Sequence, residues 1–215
     1  MKPHSDQPAV TAGAPADQAK AAMVMIHGRG GNAADILSLH AAFGLSEVAY
    51  RAPQAADNSW YPLSFLSPIK KNEPGLSSAL WVIGRVIDSL VAHGIAHEQI
   101  MLLGFSQGAC LALEFAARHP RRYGAVFGFS GGLIGPASSE WKHHGSLEGT
   151  PVFLGCSDID FHIPKTRVQE SSEVFRRLGA SVTERLYPGM PHTINQDEVD
   201  FTIATMQQVI SAHEQ

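Results

Sequence analysis

Residues 104–108 read GFSQG and residues 128–132 read GFSGG. Both match Gly-x-Ser-x-Gly, a pattern that sets a serine on a tight strand-to-helix turn with its hydroxyl free to attack a carbonyl carbon. In a chain with 20 glycines the string alone is weak, so the flanking residues have to distinguish the two copies. Such a nucleophile needs an abrupt strand end, glycines on either side and a helix that starts at the turn. QIMLL precedes Ser106, and ACLALEFAARH follows as an apolar helix that stops before Pro120. The start of that helix would place N–H groups and partial positive charge beside the hydroxyl. Ser130 also follows a strand-like run, but GLIGPASSEW cannot begin a helix at once, so Ser130 is expected to be a strand-end loop residue beside the site. The competing role for Ser106 is that of a helix N-cap.

A serine nucleophile needs a base and an acid, which in this arrangement follow it in the order Ser, Asp or Glu, His, each on a loop after a later strand. His192, in YPGMPHTIN, is the candidate to take the Ser106 proton and return it to the leaving group. PVFLGCSDIDFHIP holds two candidate acids, Asp158 and Asp160, either of which could orient the imidazole. His162, close to both, is a minor alternative to His192. The oxyanion needs two backbone donors: the N–H of Gln107, directly after the nucleophile, and that of Arg29 in HGRGGN, the loop after an early strand. The Arg29 charge could also draw an anionic substrate; the alternative is that only its backbone matters. The segment 58–76, NSWYPLSFLSPIKKNEPGL, is too irregular for a strand and too apolar for a solvated loop. Trp60, Tyr61, Phe65 and Leu66 are its candidates for an acyl- or alcohol-binding groove, with plain packing over the sheet as the alternative.

These residues must be held by a scaffold, and apolar periodicity outlines one. AAMVMI, SEVAYRAP, QIMLLG, AVFGFS, TPVFLG and SVTERLYPG are six candidate strands. Between them, Leu76, Leu80, Ile83, Ile87 and Leu90 keep helical spacing up to His93-Gly94, Pro164 can open a helix that Gly179 ends, and Asn195 with Glu198 resembles a capping box. Alternating strands and helices predict an α/β fold, a mostly parallel sheet with helices on both faces and chemistry beyond the carboxyl ends of the strands.

The 215 residues favour a single domain, 21–215, behind a disordered leader, 1–20, rich in Ala, Pro and polar residues. A net charge of -4 supplies no basic field for nucleic acid or an anionic membrane, and no long apolar run suggests a membrane span. Cys110 and Cys156 lie in apolar runs, as reduced core thiols of a cytoplasmic protein would. His93 and His97 have helical ligand spacing, but Gly94 interrupts it, so no metal or cofactor is expected.

HGRGG (27–31), APQAADNSWY (52–61), GFSQG, FSGG (129–132), GCSDIDFHIP (155–164) and PGMPH (188–192) together resemble the acyl-protein thioesterase, phospholipase and carboxylesterase family of α/β-hydrolases. The resemblance implies an α/β-hydrolase fold without a large lid domain, esterase or thioesterase chemistry without a cofactor, and often a homodimer. It makes Ser106 the nucleophile, His192 the base, and Arg29 and Gln107 the oxyanion donors. The acid of the family lies in a pattern like Gly-x-x-Asp-Pro-x-Val-Pro, from which this chain departs. Counting from Gly155 selects Asp158, and counting back from Pro164 selects Asp160; Asp158 is preferred because distance from the strand end fixes where a carboxylate projects. Pro191 and Phe161 stand where the family has glycine and proline. The resulting expectation is a serine hydrolase of small acyl esters or thioesters, with a serine peptidase or a binding protein on the same scaffold as alternatives.

Overall fold

The computed structural model describes residues 2–137 and 139–212, so Met1 and the last three residues of the expected domain lie outside it. Seven strands form one sheet: β1 (Val10–Gly13), β2 (Ala21–Ile26), β3 (Val48–Ala52), β4 (Ile100–Phe105), β5 (Ala125–Phe129), β6 (Pro151–Ser157) and β7 (Ser181–Tyr187). Their order is β1-β3-β2-β4-β5-β6-β7, parallel throughout except for β1, which runs antiparallel along β3. The six strands expected from apolar runs are all present.

Among the described residues six α-helices cover the sheet: α1 (Ala33–Leu37), α2 (His40–Phe43), α3 (Gly75–Ala92), α4 (Gln107–Arg118), α5 (Lys165–Arg177) and α6 (Gln196–Ser211). Because successive strand side chains point to opposite faces, β2 divides its residues between two cores. Ala22, Val24 and Ile26 pack with α3, α4 and α5, whereas Ala21, Met23 and Met25 pack with α1, α2 and α6. The continuous apolar runs of the central strands follow from burial on both faces. By length and apolarity α3 could cross a membrane, but its Leu76, Ile83, Ile87 and Leu90 side is buried in the first of these cores. No large lid stands over the sheet among the described residues.

The leader is ordered, contrary to the reading of its composition. β1 closes the edge of β3 with the register Val10↔Ala52 to Gly13↔Ala49. Further upstream, His4 is buried: its ring donates from Nε2 to the Trp60 carbonyl (2.9 Å) and accepts at Nδ1 from the Ala56 N–H (3.1 Å), while its own N–H donates to Ser78 Oγ (3.0 Å). An unpaired sheet edge and a buried carbonyl both need partners, and this segment supplies them despite its polar, alanine- and proline-rich sequence.

Candidate active site

The first Gly-x-Ser-x-Gly copy forms the turn its flanks imply. β4 ends at Phe105, α4 begins at Gln107, and Ser106 between them adopts φ 54°, ψ -118°, a region that a side chain rarely occupies. Its N–H donates to the Phe129 carbonyl (2.9 Å) and its carbonyl accepts from the Cys110 N–H (3.0 Å), while no side-chain cap bond forms. The hydroxyl is therefore free of the N-cap role. The turn is crowded: a Cβ on Gly104 would strike the Gly108 carbonyl, and one on Gly108 would strike the Ile26 carbonyl.

The second copy lies beside the first, because β4 and β5 pair Gly104 with Gly128 and Phe105 with Phe129. Ser130 also has positive φ, 52°, but it is fully buried and does not line the groove over Ser106. Its glycines serve packing: a Cβ on Gly128 would crowd Leu113 of α4, and one on Gly131 would strike Ala109 of the same helix. Ser130 is a strand-end residue, as expected, but it sits behind the site rather than in it.

The loop after β7 brings His192 to Ser106. Ser106 Oγ donates to His192 Nε2 at 2.9 Å, and His192 Nδ1 donates to Asp160 Oδ2 at 2.6 Å. The carboxylate thus selects the tautomer that leaves Nε2 as an acceptor. The acid on the histidine is Asp160, not Asp158. β6 continues two residues past Gly155, so Asp158 directly follows the strand, and its Oδ1 accepts from the Gly189 N–H (2.8 Å). The turn that follows carries Asp160 back beneath the imidazole, where Oδ1 accepts from the N–H groups of His162 (2.8 Å) and Ile163 (3.0 Å). Burial raises the Asp160 pKa, but the hydrogen bonds from His192 and those two N–H groups outweigh it and hold the carboxyl below its ordinary range. His162 stacks edge-on against His192, with ring centroids 5.0 Å apart, and does not displace it.

Above Ser106 lies a groove of about 670 Å³. Tyr61 and Phe65 line it. Trp60 does not: it is fully buried and donates from Nε1 to the His27 carbonyl (2.9 Å). Leu66 packs against the core instead. Pro62, Leu63, Phe105, Cys110 and Ile163 add to the apolar lining, with Arg29, Ser64, Gln107 and His162 as polar additions. Ile163 and Phe105 had a sequence signal in their nearness to Asp160 and Ser106; Leu63 had none that separated it from its neighbours.

The irregular segment 59–64 is held by side chains in place of a ladder. Gln107 accepts from the Trp60 N–H (2.9 Å) and donates to the Tyr61 carbonyl (2.9 Å); the buried Asn72 accepts from the Leu63 N–H (2.9 Å) and donates to the Ser64 carbonyl (3.0 Å). The Arg29 guanidinium, which the sequence left free to meet an anionic substrate, also turns to this segment. Gly28 presses the HGRGG loop against Ser106, where an added Cβ would stand 3.4 Å from Ser106 Cβ. Gln107 itself occupies the first position of α4, where a backbone N–H has no carbonyl of a preceding turn to meet.

Both cysteines are free and buried. Burial pushes each thiol pKa up to about 12, so neither is poised as a nucleophile. His93 donates to the Ser89 carbonyl and His97 meets Arg121, and no group of three or more His, Cys, Asp or Glu among the described residues is arranged to hold a metal ion.

The capping box after His192 carries an unusual acid. Glu198 Oε2 accepts from the Asn195 N–H (2.9 Å), and Asn195 Oδ1 accepts from the Glu198 N–H (2.9 Å), but the carboxyl is fully buried against Gly155. Burial raises its pKa from 4.5 to about 7, against the pull of the Asn195 bond. Between these two values the folded chain keeps a proton that the unfolded chain has lost, so this group makes stability fall as pH rises. Glu198→Gln is expected to remove up to about 3 kcal/mol of that loss. Denaturant unfolding at about pH 5 and about pH 8 would show it as a smaller difference between the two pH values in the variant; an equal difference in both proteins would contradict it.

The model of the Phospholipase/Carboxylesterase family matches residues 7–210. Acyl-protein thioesterase 1 of Eremothecium gossypii is 27% identical, over 92% of this chain and 91% of its own. The protein of that name from Saccharomyces cerevisiae is 27% identical over 72% of this chain and 70% of its own. A crystal structure of a phospholipase/carboxylesterase from Dyadobacter fermentans superposes with a TM-score of 0.92 at 46% identity, covering 96% of this chain and 99% of the other. The mostly parallel sheet, without a large lid among the described residues, and the match over nearly the whole chain agree, and the chain belongs to the phospholipase/carboxylesterase family of α/β-hydrolases, whose members are ester hydrolases.

Proposed function

We propose that the chain hydrolyses carboxylic esters, thioesters included, through an acyl-enzyme intermediate formed on Ser106. The observation that carries this reading is the unbroken hydrogen-bond chain from Ser106 through His192 to Asp160. Ser106 Oγ attacks the acyl carbon as His192 Nε2 takes its proton, and Asp160 stabilises the imidazolium without taking a proton itself. The N–H groups of Gln107 and Arg29 receive the oxyanion. His192 then protonates the departing alkoxide or thiolate, and a water repeats the sequence to release the acid. The apolar walls from Tyr61, Leu63, Phe65 and Ile163 suit an uncharged acyl chain. The two reduced, buried thiols support a reducing compartment such as the cytoplasm.

Labelling with a fluorophosphonate tests the chemistry directly, because only an activated serine reacts. The expected result is one covalent adduct on Ser106 that protects the protein from further reaction. A chain that stays unlabelled while folded would instead be a binding protein on a hydrolase scaffold. Ester and thioester substrates of matched acyl length, compared by kcat/KM, would then rank the two leaving groups.

A further inference from the structure

We infer that the Arg29 side chain is a positioning group that locks the proposed oxyanion loop to the wall of the acyl groove, so that acyl-chain recognition and oxyanion geometry are set together. This inference rests on the proposed serine-hydrolase reading and deepens it. The guanidinium donates from Nη1 to Ser59 Oγ (2.9 Å) and the Pro62 carbonyl (3.0 Å), and from Nη2 to the carbonyls of Tyr61 (2.8 Å) and Leu63 (2.7 Å). It also lies 5.8 Å from the centre of the Tyr61 ring. One more tie runs beside it, from the Gly30 N–H to the Asn58 carbonyl (2.8 Å).

The four acceptors belong to a stretch without regular structure, and three of them are backbone carbonyls that no strand partner satisfies. A rigid fork of N–H groups can reach them simultaneously, whereas the single ammonium of lysine, with its donors on one atom, cannot. The same stretch supplies Tyr61 and Leu63 to the groove, with Phe65 just beyond it, and Arg29 lines the groove beside them. The backbone of Arg29 follows Gly28, which is pressed against Ser106. One residue therefore spans from the reacting centre to the wall, and a shift of either end is transmitted to the other. Gln107 acts in parallel, sharing the Tyr61 carbonyl with Arg29 and accepting from the Trp60 N–H, so that both proposed oxyanion donors belong to residues whose side chains hold this wall.

The test uses the full chain with Arg29→Ala and Arg29→Lys, on p-nitrophenyl acetate and p-nitrophenyl octanoate. Both variants keep the backbone N–H. We expect kcat/KM to fall about tenfold or more on the acetate and further on the octanoate, since misplacement of a reacting group by about 1 Å can cost about a hundredfold. Arg29→Lys should recover little, and millimolar methylguanidinium should restore part of the Arg29→Ala activity by refilling the fork's position. Backbone amides of residues 59–64 should exchange faster in both variants. Kinetics within about twofold of wild type on both esters, with unchanged exchange at 59–64, would overturn the inference. Fluorophosphonate labelling separates the two readings: wild type that fails to label disproves the serine-hydrolase proposal, while faster exchange in the variants would still report the clamp. Should Arg29→Ala not fold, Arg29→Lys, with its charge and stem intact, carries the same comparison.

Discussion

Ser106→Ala is expected to reduce kcat on a p-nitrophenyl ester on the order of a million-fold, the scale on which a serine protease responds to loss of its nucleophile. The substitution removes one oxygen and leaves the backbone that forms the turn. The Ser106 N–H bond to the Phe129 carbonyl persists, and so do the close contacts of Gly104 and Gly108. Circular dichroism should therefore match wild type. Ser130→Ala is the internal control: this hydroxyl is buried away from the groove, and its removal should alter kcat by less than about tenfold. Wild-type turnover by a folded Ser106→Ala protein would remove the nucleophile from the proposal altogether.

The second large effect separates two neighbouring acids. Asp160→Asn preserves size but presents an amide to His192 Nδ1, which favours the tautomer with its proton on Nε2, unable to accept from Ser106. The expected loss in kcat is about ten-thousandfold at neutral pH. Asp158→Asn removes only a charge from the bond to the Gly189 N–H, which the amide oxygen can still accept, so the loss should stay below about tenfold. Measuring kcat for both variants across pH resolves the assignment. Equal losses, or the larger one at Asp158, would return the acid to the position that distance from the strand end suggested.

That reversal illustrates which parts of this molecule were legible in its sequence. Ser106 stood out because a continuous apolar run stops at glycine just before it, and His192 because it lies in a glycine- and proline-rich loop after the last strand; the parallel sheet was legible from the apolar runs of the central strands. The acid was misassigned because Gly155 looks like a strand end while Cys156 and Ser157 still pair with Leu186 and Tyr187; two extra ladder positions move the carboxylate that meets the imidazole from Asp158 to Asp160. The groove was only partly legible. Trp60 and Tyr61 are adjacent, yet the first is drawn inward by the His27 carbonyl and the second lines the groove, and no periodicity governs a segment held by Gln107, Arg29 and Asn72. The leader failed for a related reason: composition carries no information about His4 finding the carbonyl of a residue 56 positions away.

The glycines of the two serine motifs have a consequence for where this fold tolerates change. GFSQG and GFSGG stand side by side at the ends of β4 and β5, and Gly104, Gly108, Gly128 and Gly131 all mark close approaches between α4 and β2, β4, β5 or the turn after β5. The repeated string is the imprint of one helix resting in a trough cleared of side chains. The place of Ser106 is thus fixed from below, by atoms its neighbours lack, and a single methyl group at Gly131, outside GFSQG, would have to lift the helix that follows Ser106. Substitutions around the mouth of the groove leave this packing untouched, while the buried floor has no such latitude.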